Sequence, residues 1–220
     1  HPFNWVDWRP LLRSAVANLD AWVTNNTVPP PSKHARLDEG TAVPGESLRS
    51  VYQAIPGFGF PGHLRHLSRY DFGPRQGVIK NLPPVYGAPY PALVSAVDSD
   101  GNEVAGIRLP DVEVPLATVT GWNLRHSDTG GADQTHKIMG STVPFTFTRQ
   151  ERQDISDPRP SVEERYASKD DYLDRVEGVA RHLVSEGYLL NEDVPRVGLM
   201  AAERYDLIES QAKQAQPAVD

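Results

Sequence analysis

A proline- and glycine-rich stretch is the feature that most limits how this chain can fold. Residues 28–92 contain 11 prolines and 8 glycines, whereas the two types together make up about 12% of an average protein. Proline fixes φ and lacks a backbone donor, so long helices and central strands are disfavoured here. The stretch is also rich in aromatic residues, which a flexible linker would lack. We predict an ordered, irregular segment that wraps over another surface, with a short helical turn at 47–54.

Helices are predicted at both ends of the chain. The first runs from about Asp7, a possible N-cap, to Asn26, with an apolar stripe at helical spacing made of Leu11, Leu12, Ala15, Val16, Leu19, Trp22 and Val23. Its tryptophans predict a heavily buried helix that packs on a large neighbouring surface. The last third predicts helices at 161–166, 168–187 and 193–208, followed by a frayed end at 211–220.

The region between them is predicted to contain short β-strands. The β-prone runs are 78–79, 93–97, 104–109, 112–114 and 116–120. Asp98–Glu103 is a strong hairpin-turn signal between two of these runs. Residues 121–147 are interpreted as a long loop.

Composition excludes several classes of site and partner. The chain has no cysteine, so disulfides, thiolate metal sites and a cysteine nucleophile are excluded. No apolar run reaches the roughly 18 residues of a membrane span. Residues 151–220 carry 16 acidic and 9 basic side chains, whereas residues 1–150 carry 13 of each. This acidic surface repels phosphate, so nucleic-acid binding is disfavoured.

Catalytic motifs are scarce. There is no Gly-x-Ser-x-Gly elbow, no phosphate-binding loop and no dinucleotide fingerprint, and no cofactor or metal is predicted. Two clusters leave a metal site open as an alternative to solvated turns, namely His63 with His66, and His126 with Asp128, Asp133 and His136. The substrate-binding candidates lie after a predicted strand, where sites are often built, and are Trp122, Asn123, Arg125 and His126. The alternative is that Trp122 and Leu124 anchor a loop while Arg125 pairs with an acid.

Six motifs in order carry a resemblance to a known family. They are Trp8–Leu12 continuing to Asn18–Val23, then Pro29–Ser32, Gly106–Pro110, Gly121–His126, Gly140–Phe145 and Asp157–Tyr166. Together they resemble the C-terminal part of a mostly bacterial family of alpha/beta hydrolase domain-containing proteins. The chain begins with His1 and has its first methionine at Met139, so we expect it to be the C-terminal portion of a longer protein.

The resemblance implies which part of that longer protein contains the catalytic residues and which part this chain represents. The complete protein would be an α/β hydrolase with a Ser-His-acid mechanism, and its sheet, serine and histidine would precede residue 1. This chain would be its α+β C-terminal part: residues 1–27 the closing helix of the hydrolase core, 28–150 the Pro/Gly-rich wrap with short strands, and 151–220 an acidic helical segment. His1 is a further candidate for the catalytic histidine.

The resulting prediction is the C-terminal section of a serine hydrolase acting on carboxylic esters, catalytically incomplete by itself. Its partners would be a small-molecule ester and the missing N-terminal part. The alternative is a non-catalytic β-rich binding or structural module. A third possibility is a metal-dependent enzyme that uses His126, Asp128 and His136.

Overall fold

The computed structural model describes residues 1–64, 66–136 and 138–215, and these residues form an α+β structure. The elements in chain order are α1 (Arg9–Asn25), β1 (Ala42–Pro44), α2 (Arg49–Gln53), β2 (Tyr70–Asp71), β3 (Val85–Tyr86), β4 (Leu93–Ser95), α3 (Pro110–Glu113), β5 (Ala117–Thr120), β6 (Asn123–Leu124), β7 (Thr135–His136), β8 (Ser141–Pro144), α4 (Arg149–Asp154), α5 (Val162–Arg165), α6 (Lys169–Ser185) and α7 (Val194–Ala215). Short 3-10 turns lie at Gly45–Leu48, Ser127–Thr129 and Asn191–Asp193.

The strands of the described part pair in antiparallel twos: β1 with β4, β2 with β3, β5 with β8, and β6 with β7. No parallel pair occurs among these strands. The parallel sheet that a hydrolase core requires is therefore not found in the described residues.

The C-terminal helices form the best-packed part of the molecule. α6 packs against α7 and α3, and its apolar stripe faces inward, as its 3.6-residue periodicity predicts. The buried members of the main cluster are Val114, Leu116, Phe145, Val162, Tyr166, Tyr172, Val176, Ala201, Tyr205 and Ile208. The three predicted helices are confirmed, except that α7 continues to Ala215 where fraying was expected; residues 216–220 lie outside the described residues.

Buried polar side chains fasten the β5–β8 pair to its surroundings. The fully buried Asn102 donates to the Ala117 carbonyl at 3.0 Å and accepts from the Val119 amide at 2.8 Å. The guanidinium of Arg159 pairs with Asp157 at 2.6 Å and donates to the Thr118 hydroxyl at 2.8 Å. These bonds satisfy groups that would otherwise be costly to bury, and they fix the position of the β5–β8 pair.

Helix α1 lies on the C-terminal helices through its polar side. Ser14 and Asn18 both donate to the Gly187 carbonyl, at 2.7 and 2.8 Å, and Arg13 pairs with Asp193. The apolar side is exposed in this chain, so the expectation of a heavily buried helix is wrong for the described residues. Its exposed apolar members are Trp8, Leu12, Val16, Leu19, Trp22 and Val23.

Only part of the proline-rich region packs its apolar side chains against another surface. The helical turn at 47–54 is confirmed by α2 and the 3-10 turn before it, and Phe58 is buried. The segment 66–92 instead places its apolar side chains in solvent, contrary to the expectation that they would be covered. Its exposed apolar residues are Leu67, Tyr70, Phe72, Val78, Ile79, Leu82, Val85, Tyr86 and Tyr90.

The strand predictions are only partly confirmed. The turn at Asp98–Glu103 is present, with Gly101 at φ +81° and a bridge between Val97 and Glu103. Residues 78–79 and 104–109 form no strand, and 112–114 falls on α3 and its C-cap. The predicted loop at 121–147 contains β6, β7 and β8. Strands of two to four residues have too few alternating positions for a periodicity argument to find them.

Candidate functional site

The candidate site is built where β5 leaves the buried core. The chain passes from Thr120 through Gly121 and Trp122 into β6, which pairs with β7. The Thr120 hydroxyl donates to the Trp122 carbonyl at 2.5 Å and lies 2.6 Å from the Ser141 hydroxyl of β8. These buried bonds fix the direction in which the strand leaves the core.

An apolar cavity of about 300 Å³ opens on one side of this segment. The Trp122 ring stacks on Phe58 at 5.1 Å and meets Tyr52 edge-on at 5.3 Å. Phe60 lies 6.0 Å from Trp122 and completes the aromatic wall. Aliphatic side chains and glycines supply most of the remaining lining, from Gly45, Leu48, Pro61, Leu64, Val94, Val97 and Gly121.

The deepest ring in this wall is uncharged. A phenol with the ordinary tyrosine pKa of about 10 is already neutral at physiological pH, and desolvation raises the pKa of Tyr52 further, with Glu103 and Asp98 adding to the rise. The Tyr52 hydroxyl donates to the Gly101 carbonyl at 3.1 Å. Tyr52 presents an uncharged ring to the cavity.

A second, more polar cavity of about 460 Å³ lies beside β6 and β7. Trp122 and Thr135 line the apolar cavity, whereas Asn123, Leu124 and His136 line the polar one. The polar lining of the second cavity comes from His1, Asn123, Arg125, His126, Ser127 and His136. Trp122 and the β6–β7 pair thus border two compartments of different chemistry.

The four substrate-binding candidates from the sequence are distributed over both compartments. Trp122 belongs to the apolar cavity, and Asn123, Arg125 and His126 to the polar one. Asn123 is buried, and its amide donates to the carbonyls of His1 and Gly140 at 3.0 and 3.4 Å. Arg125 donates to a backbone carbonyl, that of Thr129, at 3.1 Å, and no carboxylate of the described residues pairs with it, so the alternative in which it pairs with an acid is not supported.

The imidazoles of the polar cavity show no metal geometry. His126 is exposed, and its Nδ1 lies 3.4 Å from Asp128 Oδ2. Among residues 1–64, 66–136 and 138–215, no three His, Asp or Glu side chains come together in a way that could hold a metal ion. The metal-dependent alternative built on His126, Asp128 and His136 is therefore not supported, and neither is the pair His63 and His66.

His1 lies at the same cavity but shows no triad. Its ring meets Phe58 edge-on at 4.8 Å, and its carbonyl accepts from Asn123. Within the described residues, no hydrogen bond joins its imidazole to a serine or a carboxylate. No nucleophile–histidine–acid arrangement is assembled around it in these residues.

Comparison with known proteins places the chain in a family. A family model described as an alpha/beta hydrolase domain matches residues 1–198. The chain belongs to this alpha/beta hydrolase domain family. The resemblance drawn from the six sequence motifs is thereby confirmed at the level of the family. No curated protein and no solved structure matches the chain.

No helix in the described part of this hydrolase-family chain is long and apolar enough to cross a membrane.

Much of the apolar cavity could not be found from the sequence. Tyr52, Phe60, Leu64 and Glu103 lie far from Trp122 in sequence, and only the tertiary structure brings them together. The available signal was the density of aromatic residues between 52 and 60.

Proposed function

We propose that this chain is the C-terminal part of a serine hydrolase acting on carboxylic esters, and that the nucleophile and the parallel sheet are supplied from outside its 220 residues. Family membership supports a hydrolase. The ester substrate, the Ser-His-acid mechanism and the catalytic incompleteness of the chain are the further content of the proposal.

The exposed apolar face of α1 is the observation that carries the proposal. Covering a Leu, Val or Phe side chain contributes about 1.5–3 kcal/mol, so a stripe that includes Leu19 and Trp22 favours a covering surface strongly. In α/β proteins, helices cover a parallel sheet with such a stripe. The Ser14 side of α1 is already occupied by the turn that follows α6, which leaves its apolar face available for the sheet.

The two cavities suggest how this chain would contribute to ester cleavage. A serine activated by histidine attacks the ester carbonyl, and a carboxylate orients the histidine. In the proposal those groups come from the remainder of the protein. Asn123, Arg125 and His126 would contact the polar part of the ester, and Trp122 would contact its apolar part. Their contribution would be binding and orientation of the substrate.

Turnover of p-nitrophenyl butyrate tests the proposal. We expect the purified 220-residue chain to hydrolyse this ester no faster than its unfolded form does. The same chain joined to the residues encoded upstream of His1 should be active and should be inactivated by a serine-directed fluorophosphonate. Fluorophosphonate-sensitive turnover by the 220-residue chain would contradict catalytic incompleteness, and an inactive longer protein would contradict the ester substrate.

The role of His1 is tested in the longer protein. His1→Ala should leave ester turnover within about twofold if the catalytic histidine lies upstream, because removal of a triad member costs several orders of magnitude. A loss of that size would instead identify His1 as the triad histidine.

A non-catalytic binding module is the second candidate, and one observation favours it. The chain closes three buried apolar clusters of its own, which a free-standing module requires. Such a module should be monodisperse in light scattering, should melt cooperatively and should not bind hydrophobic dyes. A hydrolase part with an uncovered α1 should bind the dye and associate.

A further inference from the structure

The apolar cavity beside Trp122 has the size of a ligand site. Its volume is about 300 Å³, whereas an apolar cavity of about 150 Å³ accepts benzene. It extends from the exposed Gly121 and Glu103 to the buried Tyr52 and Pro61, so it is connected to solvent. A group of two fused rings, or an aliphatic chain of similar volume, fits the space.

The lining selects against negative charge on the ligand. Glu103 is the single charged residue among the described residues that line the cavity, and it lies at the exposed end. An anionic ligand would meet this carboxylate, and no described lining residue offers it a cation. Most of the polar surface has partners within the protein, since the Tyr52 hydroxyl donates to Gly101 and the Thr120 hydroxyl to Trp122.

A cation-binding aromatic cage is also disfavoured by the ring packing. Trp122 uses one face to stack on Phe58, and Tyr52 stacks on Phe60 at 5.9 Å. The guanidinium of Arg49 lies 4.7 Å from the centre of the Phe60 ring. The faces that would attract a ligand cation are thus largely occupied within the protein.

We infer that this cavity binds a neutral apolar group, an aromatic bicycle or a chain of equal volume, with Trp122 and Tyr52 as its walls. The inference deepens the proposed function, because in a hydrolase the group would be the apolar substituent of the ester. The binding itself needs no nucleophile and can be measured on the 220-residue chain.

Calorimetric titration with three probes of one shape tests the inference: naphthol, naphthoate and naphthylmethylammonium. We expect saturable binding of naphthol, and binding of naphthoate weaker by at least about tenfold because of Glu103. The indole N–H signal of Trp122, identified as the one of four lost in Trp122→Phe, should shift with naphthol. Tighter binding of the ammonium probe than of naphthol by Glu103→Gln, in which the carboxylate is removed, would overturn the inference in favour of a cation cage.

Substitutions that fill the cavity, together with a control substitution outside it, provide a second test of the inference. A Cβ atom added at Gly121, which lines the cavity, meets no atom within 4 Å, and the same is true of a Cβ atom added at Gly198 on α7. Gly121→Leu should weaken naphthol binding by about tenfold or more through loss of contact volume, whereas Gly198→Leu should change it less than about twofold. Ser95→Leu, at a second lining position, should act like Gly121→Leu. Equal binding by all variants, each shown to be folded by its thermal melt, would overturn the inference.

The outcomes separate this inference from the proposed function. Naphthol binding without ester turnover in the longer protein would overturn only the hydrolase proposal. Ester turnover without naphthol binding at this cavity would overturn only the inference.

Discussion

Helices α1 and α6 have the same length of 17 residues and the same kind of apolar periodicity, yet they bury opposite faces. α6 buries Tyr172, Val176, Ala180 and Leu183. α1 buries Pro10 and Ser14 and exposes its apolar stripe. An amphipathic pattern therefore indicates which face of a helix favours burial. The rest of the structure decides whether another element packs on that face.

The two helices also differ in how they begin. α6 has Ser168 as its N-cap, whose hydroxyl accepts from the Asp171 amide at 3.1 Å, and acidic residues in its first turn. α1 starts after Trp8, which offers no side-chain cap, and has no acid in its first turn; Asp7, the expected cap, lies one residue earlier and accepts from the Arg9 amide at 3.1 Å, a cap-like bond. Capping stabilises a helix locally, so α1 depends more on what packs against it.

A matched pair of leucine truncations tests this comparison most strongly. Leu183 on α6 is 4% exposed and Leu19 on α1 is 55% exposed. Leu183→Ala should lower the free energy of unfolding by about 2–4 kcal/mol through lost burial and a cavity. Leu19→Ala should change it by no more than about 0.5 kcal/mol. Urea denaturation measures both, and equal losses would mean that the α1 stripe is covered in solution.

The second prediction concerns the polar contact that holds α1. Ser14→Ala combined with Asn18→Ala removes both donors to the Gly187 carbonyl. We expect a loss of about 1–2 kcal/mol, because a partly buried acceptor is left unpaired. Amide hydrogen exchange should accelerate in α1 and stay unchanged in α6. Thr24→Ala, which removes a bond internal to α1, is the control and should leave the exchange of the first three turns unaltered.

The third and smallest effect is the acid sensitivity of the α6 start. Side-chain hydrogen bonds from Arg175, with a backbone bond from Ala167, hold the pKa of Asp171 below its usual value of 3.8. Because the folded pKa lies below the unfolded one, this contribution to stability is present above about pH 4 and is lost as the pH falls through the folded pKa. Asp171→Asn should flatten the decline of stability between pH 4 and pH 2.

Asp170→Asn is the matched control for that measurement, since it removes the same charge from the same helical turn. It should keep the acid-dependent slope of the unmodified chain. A slope altered equally by both variants would contradict the role of the Asp171 hydrogen bonds and indicate a general charge effect.

The candidate site illustrates what the sequence could predict. Trp122, Asn123, Arg125 and His126 stand out because they follow a strand within five positions, and the structure places all four at cavity walls. Their division between two cavities was not predictable, since it depends on β6 and β7, which are two residues long. Tyr52 and Phe60 were not predictable as partners of Trp122, because contacts across 60 or 70 residues leave no local pattern.

The sequence by itself determined the helices α1, α5, α6 and α7, the caps of α5 and α6, the turn at Gly101 and the family, because each depends on residues close together in the chain or on ordered motifs. Only the tertiary structure decided that α1 contacts its neighbours through Ser14 and Asn18, that segment 66–92 is exposed, and that two cavities border Trp122 and the β6–β7 pair. Those outcomes depend on which surfaces compete for the same apolar contacts. Hydrophobic attraction is non-directional. A local sequence pattern therefore shows that a helix face favours burial, but it does not specify which element buries that face.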